Sequence, residues 1–177
     1  TVNAAEVKTI EIEMTAADLV MKKGENDIEI RAVLVKGEPD KFKVEQNGDK
    51  LKLTYGMKRK SVKYKRDTEV IELYVPEQMH AEKLSIKVGA GECAVSVPGF
   101  TIDKMHLEVG AGKLKAEDIT VTGTAAVEVG AGKMKLTQIS AEILTINCGV
   151  GECKYEGSVS RDVKADCGVG EVSVKLA

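Results

Sequence analysis

Five stretches of the chain alternate apolar and polar residues up to a glycine triplet, then alternate again. They read LSIKVGAGECAV, MHLEVGAGKLKA, AAVEVGAGKMKL, LTINCGVGECKY and VKADCGVGEVSV, with triplets starting at Gly89, Gly110, Gly130, Gly149 and Gly168. The spacings are 21, 20, 19 and 19 residues. One, three and five positions before each triplet stand Val88/Ile86/Leu84, Val109/Leu107/Met105, Val129/Val127/Ala125, Cys148/Ile146/Leu144 and Cys167/Ala165/Val163, all apolar. The residues between them are polar, with Ala126 the exception. Period-two alternation of this kind marks a strand with one buried face. After each triplet a second strand points Cys93/Val95, Leu114/Ala116, Met134/Leu136, Cys153/Tyr155 and Val172/Val174 inward. A looser third segment around Ile102, Ile119/Val121, Ile139 and Val159 closes each circuit.

A repeat of this length cannot bury its apolar face alone. Stacked in register at about 4.8 Å, the repeats pair each strand with its equivalents and merge the inward columns into one core. The predicted fold is therefore all-β, a single-stranded right-handed parallel β-helix (solenoid) of about five to six rungs. Its hand follows from the preference of parallel crossovers. The glycines are expected to turn a sharp corner, with φ > 0 at one of them, and a Cβ there would also crowd the next rung. Gly130→Val is expected to cost about 1–3 kcal/mol through backbone strain.

Toward the N-terminus the pattern weakens. IEIEMTAADLVM (10–21) reads as a degenerate first rung, with Thr15-Ala16-Ala17 in place of the glycine corner. DIEIRAVLV (27–35), a hairpin over 42–55 around Asn47-Gly48, and EVIELYVP (69–76) are predicted antiparallel strands that continue one side and cap the upper end. Residues 1–177 are expected to form one domain: 1–83 carry this N-terminal antiparallel sheet and hairpin insertion, and 84–177 the five rungs.

Charge is dense but balanced, 26 basic against 28 acidic residues, so no global field favours nucleic acid. Two Phe, four Tyr and no Trp argue against stacking clefts for sugars or single-stranded nucleic acid. No apolar run reaches membrane-span length, so no span is expected in this chain. The chain starts at Thr1 without Met, and removal of an N-terminal segment is expected.

The cysteines leave three readings. Cys148 and Cys167 share a column in neighbouring rungs, and Cys93 and Cys153 share another. Small buried hydrophobes are the favoured reading; a Cys148–Cys167 disulfide and a Cys148/Cys153/Cys167 metal site are the alternatives. Opposite charges flank the first three corners: Lys87/Glu92, Glu108/Lys113 and Glu128/Lys133. They read as surface pairing that sets register. His80 and His106 have no catalytic partner in sequence. No catalytic, cofactor or metal residue is assigned, and no enzymatic activity is expected.

Two features point to partners. The run MKRKSVKYKR (57–66) gathers Lys58, Arg59, Lys60, Lys63, Lys65 and Arg66, a candidate contact for an anionic envelope polymer or a protein partner. The last strand turns Val172, Val174 and Leu176 inward with nothing after them to cover the rung, so end-to-end self-association is expected there.

The stretch VP-x₇-L-x-I-x-V-G-A-G-E from Val75 to Glu92, with its later V-G-A-G and C-G-V-G echoes, resembles the bacterial "putative adhesin" domain family of unknown function. The resemblance implies a β-helix associated with the cell envelope, hence extracytoplasmic rather than cytoplasmic, and supplies no catalytic or binding residues. The expected function is a non-enzymatic envelope scaffold or adhesin-like binding module. A self-assembling structural protein is the alternative, and a carbohydrate-active solenoid enzyme is third.

Overall fold

Val88, Val109, Val129, Cys148 and Cys167 stand directly opposite one another in successive parallel strands. The computed structural model of the protein describes residues 1–33, 42–56 and 70–177. The described residues form an all-β structure with one 3-10 turn at Ala4–Glu6. The strands are β1 (Thr9–Met14), β2 (Asp18–Gly24), β3 (Glu29–Val33), β4 (Phe42–Asn47), β5 (Lys50–Tyr55), β6 (Val70–Pro76) and β7 (His80–Val88). They continue as β8 (Glu92–Val109), β9 (Lys113–Val121), β10 (Thr124–Val129), β11 (Lys133–Cys148), β12 (Glu152–Cys167) and β13 (Glu171–Leu176).

The strands preceding each corner stack in parallel in the order β5, β1, β7, β8, β10, β11, β12. The strands following each corner stack as β6, β2, β8, β9, β11, β12, β13. Long strands such as β8 and β11 therefore serve two consecutive layers, entering one after its corner and leaving into the next. The inward trios are buried from Ile10/Ile12/Met14 through Leu144/Ile146/Cys148. Every buried residue among those described is apolar or aromatic. The two buried tyrosines are Tyr55 and Tyr155, and the Tyr155 hydroxyl lies 2.9 Å from the Ile139 carbonyl oxygen and 3.1 Å from that of Ser158, both of which can accept its proton.

The N-terminal half departs from expectation in one respect. β5 and β6 pair in parallel with β1 and β2, so these two strands form a further layer rather than antiparallel material. Leu51, Leu53 and Tyr55 are its inward trio, and Ile71, Leu73 and Val75 its second strand. The glycine triplet that marks the layers from β7 onward is missing here, as it is between β1 and β2. The antiparallel elements are β4 on β5 and β3 on β6. The β4–β5 turn is centred on Gly48-Asp49, one residue later than predicted, because Asn47 pairs with Lys50. Gly48 at φ +62° takes the first central position, where a hairpin turn of the primed type needs a left-handed residue.

Of the two roles expected of the corner glycines, the structure shows the crowding of a neighbouring layer and not the left-handed turn. Among the described residues the positive-φ glycines are Gly48 and Gly99, and neither belongs to a triplet. What the triplets need is room. A Cβ on Gly132 would collide with the carbonyl oxygen of Gly112 in the preceding layer and lie 2.6 Å from Val109 Cγ1. At Gly130, the first glycine of the same triplet, a Cβ would sit 3.0 Å from the Gly110 carbonyl oxygen. Left-handed backbone occurs instead at the second corner, at Gly99 (φ +79°), Asp118 (φ +58°) and Gln138 (φ +54°). Thermal unfolding should accordingly separate the two positions: Gly132→Ala is expected to cost about 2–4 kcal/mol and Gly130→Ala about 1 kcal/mol. Equal costs would contradict the packing account.

Candidate binding face

The outward sides of β9, β11 and β12 place lysines on top of one another. Lys113 lies opposite Lys133, and Lys115 opposite Lys135, which in turn lies opposite Lys154. All five side chains are exposed, while Leu114, Met134 and Cys153 between them are buried, as strand alternation requires. Neighbouring ammonium groups within a column are thus carried on strands about 4.8 Å apart, and those along a strand on residues about 7 Å apart. Glu152 enters the grid at its edge: Oε1 lies 3.1 Å from Lys154 Nζ and Oε2 3.1 Å from Lys133 Nζ. Those hydrogen bonds, Lys154 first and then Lys133, hold the Glu152 carboxyl below its ordinary range. Lys113 reaches Glu92 at 3.4 Å on the other side. Lys115 and Lys135, at the centre, make no ion pair among the described residues.

In-register like charges on neighbouring strands oppose each other, so this column is retained at a cost to the sheet. Sequence reading missed it because KLK at 113–115, KMK at 133–135 and CK at 153–154 are separate in the chain and unremarkable singly. The signal was available: the repeat register that aligns the glycines also aligns these lysines.

The expected pairing across each corner is replaced by pairing between layers. Lys87 meets Glu108 at 3.5 Å, Lys113 meets Glu92 at 3.4 Å and Lys133 meets Glu152 at 3.1 Å. The two flanks of one corner belong to different faces, whereas register partners share one. These exposed pairs contribute little individually.

His80 and His106, isolated in sequence, acquire partners by stacking. His80 Nε2 is 2.7 Å from Asp103 Oδ1, to which Thr122 Oγ1 also donates at 2.9 Å. The His80 bond, followed by that from Thr122, lowers the Asp103 carboxyl below its ordinary value. His106, Glu108 and Glu128 bring ligand atoms within 4.8 Å of one another, the one three-residue group of metal-ligand types that converges among the described residues. His106 Nε2 lies 3.4 Å from Glu128 Oε2, and Glu108 is shared with Lys87. Such a set offers one imidazole nitrogen and two carboxylates at the surface.

The cysteines are all free thiols. Cys93, Cys148 and Cys153 are buried, as small hydrophobes would be, but Cys167 is exposed, a departure from that reading. No strand of the described residues lies on the far side of Cys167. Burial pushes the Cys93 and Cys153 thiols up to about 12. Cys148, Cys153 and Cys167 do not converge as ligands.

The basic run with Lys58, Arg59, Lys60, Lys63, Lys65 and Arg66 lies outside the described residues. The described ends flanking it, Tyr55 opposite Met14 and Val70 opposite Asp18, sit where the neighbouring layer makes its corner. Val172 and Val174 are half-buried on β13, and Leu176 is 51% exposed. No helix among the described residues is long and apolar enough to cross a membrane.

The Toastrack DUF4097 family model matches residues 7–177. The chain belongs to that family. The resemblance to bacterial "putative adhesin" domains of unknown function is thereby borne out. No curated protein sequence matches the Toastrack chain. Its fold is shared by a crystal structure described as a "putative cell adhesion protein" from Clostridium sporogenes, at TM-score 0.63 and 12% identity, covering 99% of this chain and 96% of that one. A "putative adhesin" from Bacteroides fragilis aligns at TM-score 0.37 and 18% identity over 97% and 93% of the two chains. A "putative lipid binding protein" from Parabacteroides distasonis aligns at TM-score 0.42 and 12% identity over 98% and 94%.

Two measurements check this chemistry. In the folded Toastrack chain a thiol reagent at neutral pH should label Cys93, Cys148 and Cys153 only after denaturation; rapid labelling of Cys93 or Cys153 would contradict their burial. Asp103 has a lowered folded-state pKa, so its stabilisation is present above the ordinary carboxylate range and lost as pH falls through the lowered value. Asp103→Asn should flatten that acid limb of the stability profile, and an unchanged limb would remove Asp103 from it.

Proposed function

We propose that the protein is a non-enzymatic, adhesin-like scaffold of the bacterial cell envelope that holds an anionic polymer on the lysine grid of β9, β11 and β12. The observation that carries this reading is the Lys115–Lys135–Lys154 column, three like charges stacked in register without relief at its centre. A polyanion laid along or across the strands meets an ammonium group every few ångströms and removes the repulsion that the free sheet bears. The finer architecture in this reading is a right-handed single-stranded parallel β-helix, supported by the parallel registers and by the handedness preference of parallel crossovers. An apolar interior and outward-facing charge suit a rigid support whose work is done on its surface. The envelope setting accords with the family resemblance and with the cell-adhesion description given to the Clostridium sporogenes protein.

Binding of the purified chain to wall teichoic acid, a phosphodiester polymer, tests the reading across a salt series. Binding is expected to weaken steeply with salt, and Lys115→Glu with Lys135→Glu to weaken it at least tenfold while leaving the melting temperature equal or higher. Affinity indifferent to both salt and these substitutions would overturn it, as would catalytic turnover of the polymer.

A further inference from the structure

The last layer has two free strand edges, and both are self-complementary. Among the described residues, 162–167 of β12 pairs only with β11, and β13 only with β12. Val163 and Val172 are half-buried and Ala165 and Cys167 exposed, whereas their register partners Leu144, Cys153, Ile146 and Cys148 are buried.

Hydrogen bonding fixes which backbone groups are free. Glu171 N–H donates to the Gly151 carbonyl and Ala177 N–H to that of Gly157, so odd-numbered residues of β13 face β12. By strand alternation Val172, Val174 and Leu176 turn their N–H and C=O groups outward. Gly168 N–H donates to Cys148 O, so on the other edge Val163, Ala165 and Cys167 do the same.

An antiparallel partner must place outward-pointing groups opposite each other and apolar residues on the same face. Two-fold pairing centred on Ser173 along β13 and on Ala165 along the other edge meets both conditions. On β13 it sets Val172 against Val174 of the second copy, and Glu171 against Lys175. On the 162–167 edge it sets Val163 against Cys167, and Lys164 against Asp166. Both edges thus join apolar to apolar on the inner face and opposite charges on the outer one. Shifting β13 by one register step of two residues sets Ser173 against Lys175 and loses the charge match.

We propose that a second copy of this chain docks on this layer as an isologous dimer, extending both ladders across the two-fold axis. The interface is independent of the lysine grid: it lies on the β13 and 162–167 edges rather than on the outward face of β9, β11 and β12.

Sedimentation equilibrium of the chain tests this directly. The wild type is expected to dimerise, Lys175→Glu to weaken association at least tenfold by placing carboxylates opposite each other twice, and Glu171→Lys with Lys175→Glu to restore it. Circular dichroism confirms that these surface variants fold, and Lys115→Glu with Lys135→Glu leaves the dimer intact. A wild type that stays monomeric throughout overturns the proposal, including the case in which other parts of the chain cover this layer. A dimer indifferent to Lys175→Glu overturns it equally.

Discussion

No Cβ fits where Gly132 passes the Gly112 carbonyl, and the same contact recurs at Gly91, Gly112, Gly151 and Gly170, each against the carbonyl of the neighbouring layer. Backbone meets backbone there with no space for a side chain. This contact sets how tightly the corners nest, and with them the strands on either side. Once corners nest, residues one repeat apart must lie opposite each other, so an apolar residue in one layer demands an apolar residue in the next. The uniformly apolar and aromatic interior follows from that demand.

The same register governs the outer surface, where the demand runs the other way. Stacking that merges apolar residues into columns also merges charges, and a solvated sheet tolerates this only when signs alternate between layers. Lys87 with Glu108, and Glu92 with Lys113, obey that rule. The Lys115–Lys135–Lys154 column breaks it. Departures of this kind mark the surface positions where something other than folding selects the residue. The free edges of the last layer are the complementary case: their charges alternate along one strand, a pattern that pairs with its own two-fold copy.

Much of the ladder was legible in the chain. Val88, Val109, Val129, Cys148 and Cys167 could be aligned from the glycine spacing, and coordinates place them in that register. The layer formed by β5 and β6 escaped because its trio, Leu51, Leu53 and Tyr55, precedes no glycine triplet, and a hairpin signal at Asn47-Gly48 suggested purely local pairing. The lysine grid escaped for a related reason. Its members are surface residues in separate segments, and only a two-dimensional view of the repeat sets them side by side.

Periodicity and glycine spacing determined by themselves which residues face inward and which repeat partners meet, because a strand's two faces and a fixed repeat length leave one register that buries the apolar set. Tertiary structure decided which of the two expected roles the glycines serve. Crowding against a neighbouring carbonyl holds and a left-handed turn does not, because the corner's backbone path is set by the layer it nests on. It also decided that β1 and β2 lie between two layers that follow them in sequence, and that His80 meets Asp103, since contacts between distant segments depend on stacking order rather than on any local preference.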